Sequence, residues 1–303
     1  ACVRPPRNKM LERTWPSAML KHRIFSGVLM TLFFGGLVVL DGWIDGSATV
    51  AADDDRAVQG TLLTILVAAV MAPATFEFAG LCAAKGLHVL LTPAVGGVVL
   101  LSTAWYWSQW LSVPLHACVL FVLAFSLLAS VLAQCRQYGI DGVLANCGVN
   151  CLAVLYLGLL AAFVVAIRVD VGLWETLVFM FVVKGSDIGA FTFGKLFGRH
   201  KFSPRVSPGK TWEGLAGAIV VAMGISLAFA LVFDIMAWSW ALLFGGVFAV
   251  IGQLGDLTES MMKRDAQQKD SADRVPGFGG ILDVIDSPLV AAPFGYLFFR
   301  LVA

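Results

Sequence analysis

The chain has 303 residues, of which 59% are hydrophobic and 14% charged, with a formal net charge of +1 and a mean hydropathy of +0.84. A soluble domain carries about a quarter charged residues, so this composition excludes a single soluble globular domain. It describes an all-α polytopic integral membrane protein.

Crossing the hydrocarbon core as a helix takes roughly 20 apolar residues. Nine such stretches are predicted in chain order, near 24–40, 57–81, 87–107, 113–133, 147–167, 172–190, 212–233, 236–256 and 286–302. The first and last are short and need interfacial residues to complete them. Residues 1–23 form a basic segment ahead of the first span. Read as a signal peptide, that segment with the apolar run from Ile24 and the small residues at Ala48 to Ala52 would be cleaved. Eight spans with the same faces would remain.

Lys and Arg in short loops favour the cytoplasmic side. With the N-terminus inside, nine spans leave inside loops at 82–86, 134–146, 191–211 and 257–285, so 18 basic residues fall inside, counting Lys184 at the edge of span six. Only Arg56, Arg168 and Arg300 fall outside, together with the acidic run Asp53-Asp54-Asp55. Each omitted span would reverse every later loop, so this asymmetry supports the count.

Composition shifts near residue 184. The basic segment at 1–23 and a helical portion at 24–183 with short loops precede a portion at 184–303 whose two polar loops carry the dense chemistry. The six cysteines lack zinc-site spacing and the four histidines are scattered, so neither predicts a metal centre.

An ionised side chain at the centre of a span costs about 2.5–3.5 kcal/mol on insertion scales. Glu77, four residues after Pro73, is predicted near the cytoplasmic end of span two, where it either reaches headgroups or lines a polar pocket. Asp187 ends span six within Lys184-Gly185-Ser186-Asp187, among small residues that leave room for a ligand.

The next loop contains Ser207-Pro208-Gly209-Lys210-Thr211-Trp212-Glu213-Gly214. Its cations have an ordinary explanation in anionic headgroups. The Pro-Gly turn also delivers Lys210 and Thr211 to the start of span seven, where free N–H groups and the positive helix end favour phosphate. The Walker pattern is absent.

The second loop begins at Asp256, after Gly252 and Gly255. Asp256, Ser260 and Lys263 fall at i, i+4 and i+7, along one helix face. Pro276-Gly277-Phe278-Gly279-Gly280 permits sharp turns before Asp283 and Asp286, one helical turn apart. Mg²⁺ prefers carboxylate oxygens and substrate phosphates while keeping several waters, and acids from spans eight and nine suit it. The ordinary alternative has Asp286 capping span nine and Asp283 in solvent.

At these residues the chain resembles the phosphatidate cytidylyltransferase family, also called CDP-diacylglycerol synthases. Ser260, Lys263, Arg264, Lys269, Asp270, Pro276, Gly277, Gly279, Gly280, Asp283 and Asp286 match its signature in register. Residues 207–214 and the segment from Asp187 to Arg199 also resemble the family's cytoplasmic loops. Phe278 stands where the signature has His, and Val284 where it has Arg; Arg274, Arg264 and Lys269 are candidates to compensate.

The resemblance implies transfer of CMP from CTP to phosphatidate, forming CDP-diacylglycerol and pyrophosphate for phospholipid synthesis. It implies Asp256 and Asp283 as Mg²⁺ ligands, with a second cation open, and Asp256, Lys263 and Asp283 as catalytic. Ser207, Lys210, Thr211, Ser260, Arg264, Lys269 and Asp270 would bind substrate, with Asp187 and Asp286 orienting water or lysine. The partners implied are CTP, phosphatidate from the cytoplasmic leaflet and the bilayer itself; a homodimer stays open and nucleic acid is not expected. A bacterial inner-membrane location follows. A CTP-dependent lipid kinase would use similar acids and cations. An ion-coupled transporter would place its charges at midplane, whereas these cluster at one face.

Overall fold

A computed structural model describes residues 17–48, 58–272 and 279–302, with the side chains of 17–26 and 28 outside that description. The basic residues at positions 1–16, Asp53-Asp54-Asp55, Arg56, Arg274, Pro276, Gly277 and Phe278 lie outside the described residues. In chain order the helices are α1 (Ser17–Asp45), α2 (Thr61–Ala83), α3 (Leu91–Ser102), α4 (Ala104–Ser108) and α5 (Leu115–Gln137). Then come α6 (Val143–Val171), α7 (Leu173–Phe197), α8 (Trp212–Phe233), α9 (Trp238–Asp265) and α10 (Leu282–Val302). No strand is present among the described residues, where extended pairing is limited to isolated bridges such as Lys201 with Thr211.

Among the described residues seven helices, α2 and α5 to α10, are long and apolar enough to cross a membrane. Each coincides with a predicted span, and the chain is a multi-pass membrane protein. The span predicted at 24–40 falls within α1. The one predicted at 87–107 is instead two short helices, α3 and α4. Side chains act at both ends of α3: before its start, Asn146 and Asn150 on α6 accept the backbone N–H groups of His88 (3.0 Å) and Leu90 (3.1 Å). Their amides in turn donate to Gln134 Oε1 (3.1 Å) and Ser130 Oγ (2.6 Å) on α5. At the far end Thr103 turns its hydroxyl back onto the Val99 carbonyl at 2.7 Å, a side-chain bond that competes with the helical ladder.

Arg168 corrects a second expectation. Predicted as an outside loop cation, it sits in the last turn of α6 with 0% exposure. Its Nε donates to Asp41 at 3.0 Å and its Nη2 to Asp45 at 2.6 Å, both on α1. The same carboxylates accept the backbone N–H of Leu62 (2.6 Å) and Gly60 (3.1 Å) at the start of α2. A buried charge is tolerated only when paired and hydrogen-bonded; Arg168 is paired through Nε and Nη2, its Nη1 being left without a partner among the described residues, and the network ties three helices together at one end of the bundle.

Helices α7 to α10 form the body of the C-terminal portion. Phe179 of α7, Phe244 and Phe248 of α9, and Phe298 and Phe299 of α10 form a contiguous aromatic cluster. Membrane helices approach closely where small residues line the interface. A Cβ at Gly189 of α7 would lie 3.0 Å from the Gly217 carbonyl of α8, and one at Gly255 of α9 would lie 2.9 Å from the Asp286 carbonyl of α10. This antiparallel packing gathers the end of α7, the start of α8, the end of α9 and the start of α10 at one pole, where the polar loops lie.

Candidate active site

The loop after α7 is folded back as a narrow turn. Phe202 N donates to the Lys210 carbonyl at 3.2 Å and Trp212 N to the His200 carbonyl at 3.0 Å. Thr211 then caps α8, its Oγ1 accepting from Gly214 N at 3.1 Å, which satisfies one orphan N–H of the helix start. Lys210 extends away from the turn to α9, where its Nζ lies 2.9 Å from the Gln253 carbonyl and 2.9 Å from Asp256 Oδ2.

Helix α9 runs through Asp265, longer than the predicted span, so Asp256, Ser260 and Lys263 are helical as their spacing predicts. Ser260 Oγ is 3.4 Å from Asp256 Oδ1. Lys263 pairs with Glu259 at 2.7 Å and with Asp283 across the gap to α10. Asp283 also accepts from Gly280 N (2.8 Å), Ser271 N (3.0 Å) and Ser271 Oγ (2.7 Å). Asp286, one turn on, is buried and accepts from Ser287 N at 2.6 Å. Neither acid stands in open solvent, so the ordinary alternative for Asp283 does not hold.

Glu77 reaches this assembly from the N-terminal portion. It is 3% exposed and accepts from Leu282 N (2.9 Å) and Ser271 Oγ (3.2 Å). Rather than reaching headgroups, it caps α10 and holds the backbone that holds Asp283. Lys85 and Asp265 add an exposed pair at 3.0 Å between the ends of α2 and α9.

Among the described residues, adjoining cavities open at this pole. One, of about 660 Å³, lies between the loop and α9, with Lys195, Lys201, Ser207, Lys210 and Thr211 on its wall. The other, of about 290 Å³, lies between α7, α9, α10 and α1, with Lys184, Lys263, Asp283 and Asp286 on its wall. Asp187, Phe191 and Asp256 line both, so the cavities adjoin.

The model of the cytidylyltransferase family matches residues 56–302. The chain belongs to this family. Over 291 residues it is 33% identical to the phosphatidate cytidylyltransferase of Bacillus subtilis (strain 168), covering 93% of this chain and 98% of that protein. Over 135 residues it is 42% identical to the phosphatidate cytidylyltransferase of Haemophilus influenzae, covering 42% of this chain and 46% of that protein. The phosphatidate cytidylyltransferase of Pseudomonas aeruginosa is 43% identical over 116 residues, 38% of this chain and 43% of that one.

In this cytidylyltransferase-family chain the residues expected at the site separate into groups. Asp187, Ser207, Lys210, Thr211 and Asp256 border the larger cavity, and Asp187, Asp256, Lys263, Asp270, Asp283 and Asp286 border the smaller. Ser260, Arg264 and Lys269 line neither. Arg264 is exposed and instead donates to the Val206 carbonyl at 3.2 Å, bracing the loop. Sequence reasoning left out Lys184, Lys195, Lys201, Gln253, Glu259 and Ser271. The four-residue spacing of Glu259 and Lys263 and the three-residue spacing of Lys184 and Asp187 are helix-face pairs that could have found two of them.

Proposed function

We propose that the chain transfers CMP from CTP to phosphatidate, giving CDP-diacylglycerol and pyrophosphate. The observation that carries this is the pair of adjoining cavities, one rich in lysine and one rich in acids, which meet at Asp187 and Asp256. A triphosphate needs cationic donors, and the neighbouring acids can face a second phosphate only through a cation, which the adjoining cavities allow. The larger cavity suits a triphosphate, with Lys195, Lys201 and Lys210 supplying charge-assisted donors.

In the reaction an oxygen of the ionised lipid phosphate attacks the α-phosphorus of CTP. A new P–O bond forms, the bond from the α-phosphorus to the bridging oxygen breaks, and pyrophosphate leaves with the electron pair. The nucleophile is already an anion near neutral pH, so no strong general base is required. The protein's task is positioning and charge neutralisation. Lys263, held between Glu259 and Asp283, is fixed on the wall where that charge develops.

Among the described residues no three acidic, histidine or cysteine side chains form a complete metal cage. Mg²⁺ does not require one, because it takes one or two carboxylates and completes its shell with waters and substrate phosphates. The donors fit: Asp256 and Asp283 share a cavity wall with Asp286, and Glu259 Oε1 on the same wall is buried without a partner. Asp256 and Asp283 would hold the ion, with Asp187 and Asp286 available to a second cation. When bound, Mg²⁺ supplies neutralisation of the nucleotide's phosphate charge.

The distribution of Lys and Arg supports a cytoplasmic N-terminus and a cytoplasmic site in a bacterial inner membrane. The lipid then arrives sideways from the cytoplasmic leaflet with its chains left in the bilayer. Product analysis with CTP labelled at the α- or γ-phosphorus tests the reading. The α label enters the lipid and the γ label leaves in pyrophosphate; γ label in the lipid with release of CDP would mean a kinase.

A further inference from the structure

We infer that Lys184 is the residue that binds the phosphate of the lipid substrate in the smaller cavity, an inference resting on the CMP transfer proposed above. Lys184 lies on α7 with its side chain 21% exposed. Its Nζ is 2.5 Å from the carbonyl oxygen of Val284 on α10 and 3.3 Å from Asp187 Oδ2. An ammonium has three donors; the carbonyl and the carboxylate take two, leaving the third for an incoming anion.

The charge of the cavity demands such a group. Among the described residues, six acids line it against two lysines, Lys184 and Lys263. Lys263 is paired with both Glu259 and Asp283, and its side chain is only 10% exposed. Lys184 has one carboxylate partner, at a longer distance, and is the more open of the two. A phosphate monoester entering among so many acids needs a cation that is not already committed.

Position identifies which phosphate. Gly27, Met30 and Thr31 of α1 close the smaller cavity, and the neighbouring Leu29, Leu32 and Phe33 are each more than half exposed. An apolar helix surface beside a phosphate-sized polar cavity is what a diacyl lipid presents itself to; the larger cavity is walled by the polar loop instead. Val284 contributes no polar side chain, and its carbonyl steers the ammonium of Lys184 to the same stretch of wall. The charge absent from position 284 is therefore delivered from the adjacent helix, so an arginine placed at 284 should do the work of Lys184.

The test uses full-length protein in mixed micelles, comparing wild type, Lys184→Met, Lys184→Arg and Lys184→Met/Val284→Arg. Lys184→Met should raise KM for phosphatidate about 10- to 100-fold while KM for CTP stays within about twofold. Lys184→Arg and the double variant should recover most of that loss. Heat stabilisation of the protein by phosphatidate, relative to phosphatidylcholine of the same chains, reads binding without turnover. It should be present in wild type, lost in Lys184→Met and restored in the double variant. Equal stabilisation of wild type and Lys184→Met, or no recovery in the double variant, overturns the assignment. Wild type that is stabilised by phosphatidate but forms no CDP-lipid overturns the proposed reaction and leaves the binding role of Lys184 standing.

Discussion

Lys210 Nζ stands 2.9 Å from Asp256 Oδ2, joining the turn that precedes α8 to the polar end of α9. The loop cation and the membrane-end acid are thus parts of one wall. Each holds the other at the boundary where the two cavities meet.

Lys210 should therefore matter to both geometry and charge. Lys210→Met is expected to lower kcat/KM for CTP about 10- to 100-fold, the range for losing a hydrogen bond to a charged group, with Lys210→Arg retaining part of the rate. Steady-state CDP-lipid formation at varied CTP measures this, and unchanged kcat/KM in Lys210→Met would remove Lys210 from the nucleotide site.

Glu77 predicts a coupling between the two portions of the chain. Glu77→Leu leaves the buried N–H of Leu282 without its acceptor, at a cost of about 1–3 kcal/mol, and frees Ser271 and through it Asp283. Both the unfolding midpoint and the turnover rate should fall. Glu77→Gln keeps an acceptor oxygen and should be intermediate in both. Thermal unfolding followed alongside activity distinguishes this from a headgroup-facing acid, whose replacement would change neither.

Arg168 gives the opposite pattern. Arg168→Met leaves Asp41 and Asp45 as uncompensated buried acids, a change that costs about 3–5 kcal/mol. The network lies at the other end of the bundle: α7 separates it from the site, and its 25 residues rise about 1.5 Å each. Denaturant unfolding should show the loss, while turnover per folded molecule stays within about twofold, as for distant independent positions.

Gly255 tests the packing that brings the acids together. A Cβ there would meet the Asp286 carbonyl at 2.9 Å and Ser287 Cα at 3.0 Å, both backbone atoms that cannot rotate away. Gly255→Val should push α10 off α9 and separate Asp256 from Asp286. A displacement near 1 Å can cost about 100-fold in rate, so activity should collapse by more than the lowered unfolding midpoint accounts for.

Much of this architecture is legible in the sequence, because a helix that spans a membrane announces itself by a long apolar run. The register of Asp256, Ser260 and Lys263 follows from helical spacing alone. Two parts were not legible. The late start of α3 within the 87–107 stretch involves Asn146 and Asn150, whose amides reach residues far away in sequence; only their four-residue spacing on an apolar helix hints at it. The inward turn of Arg168 depends on Asp41 and Asp45, and a loop-counting argument places it only on the outside face because it cannot see partners on another helix. At the site, motif reading found Lys263 and Asp283, and the cost of a charge within a span singled out Glu77 without its partners Ser271 and Leu282; Lys184 was not picked, because its role arises from contacts across helices.

The most direct measurement is the initial rate of CDP-lipid and pyrophosphate formation from labelled CTP and phosphatidate with Mg²⁺, for wild type, Asp256→Asn and Asp283→Asn. Wild type should form both products in equal amounts and lose them when Mg²⁺ is chelated. Each variant should fall by about 100-fold or more, as expected when transition-state charge loses its stabilising group. No CDP-lipid from wild type, or wild-type rates in both variants, would contradict the account.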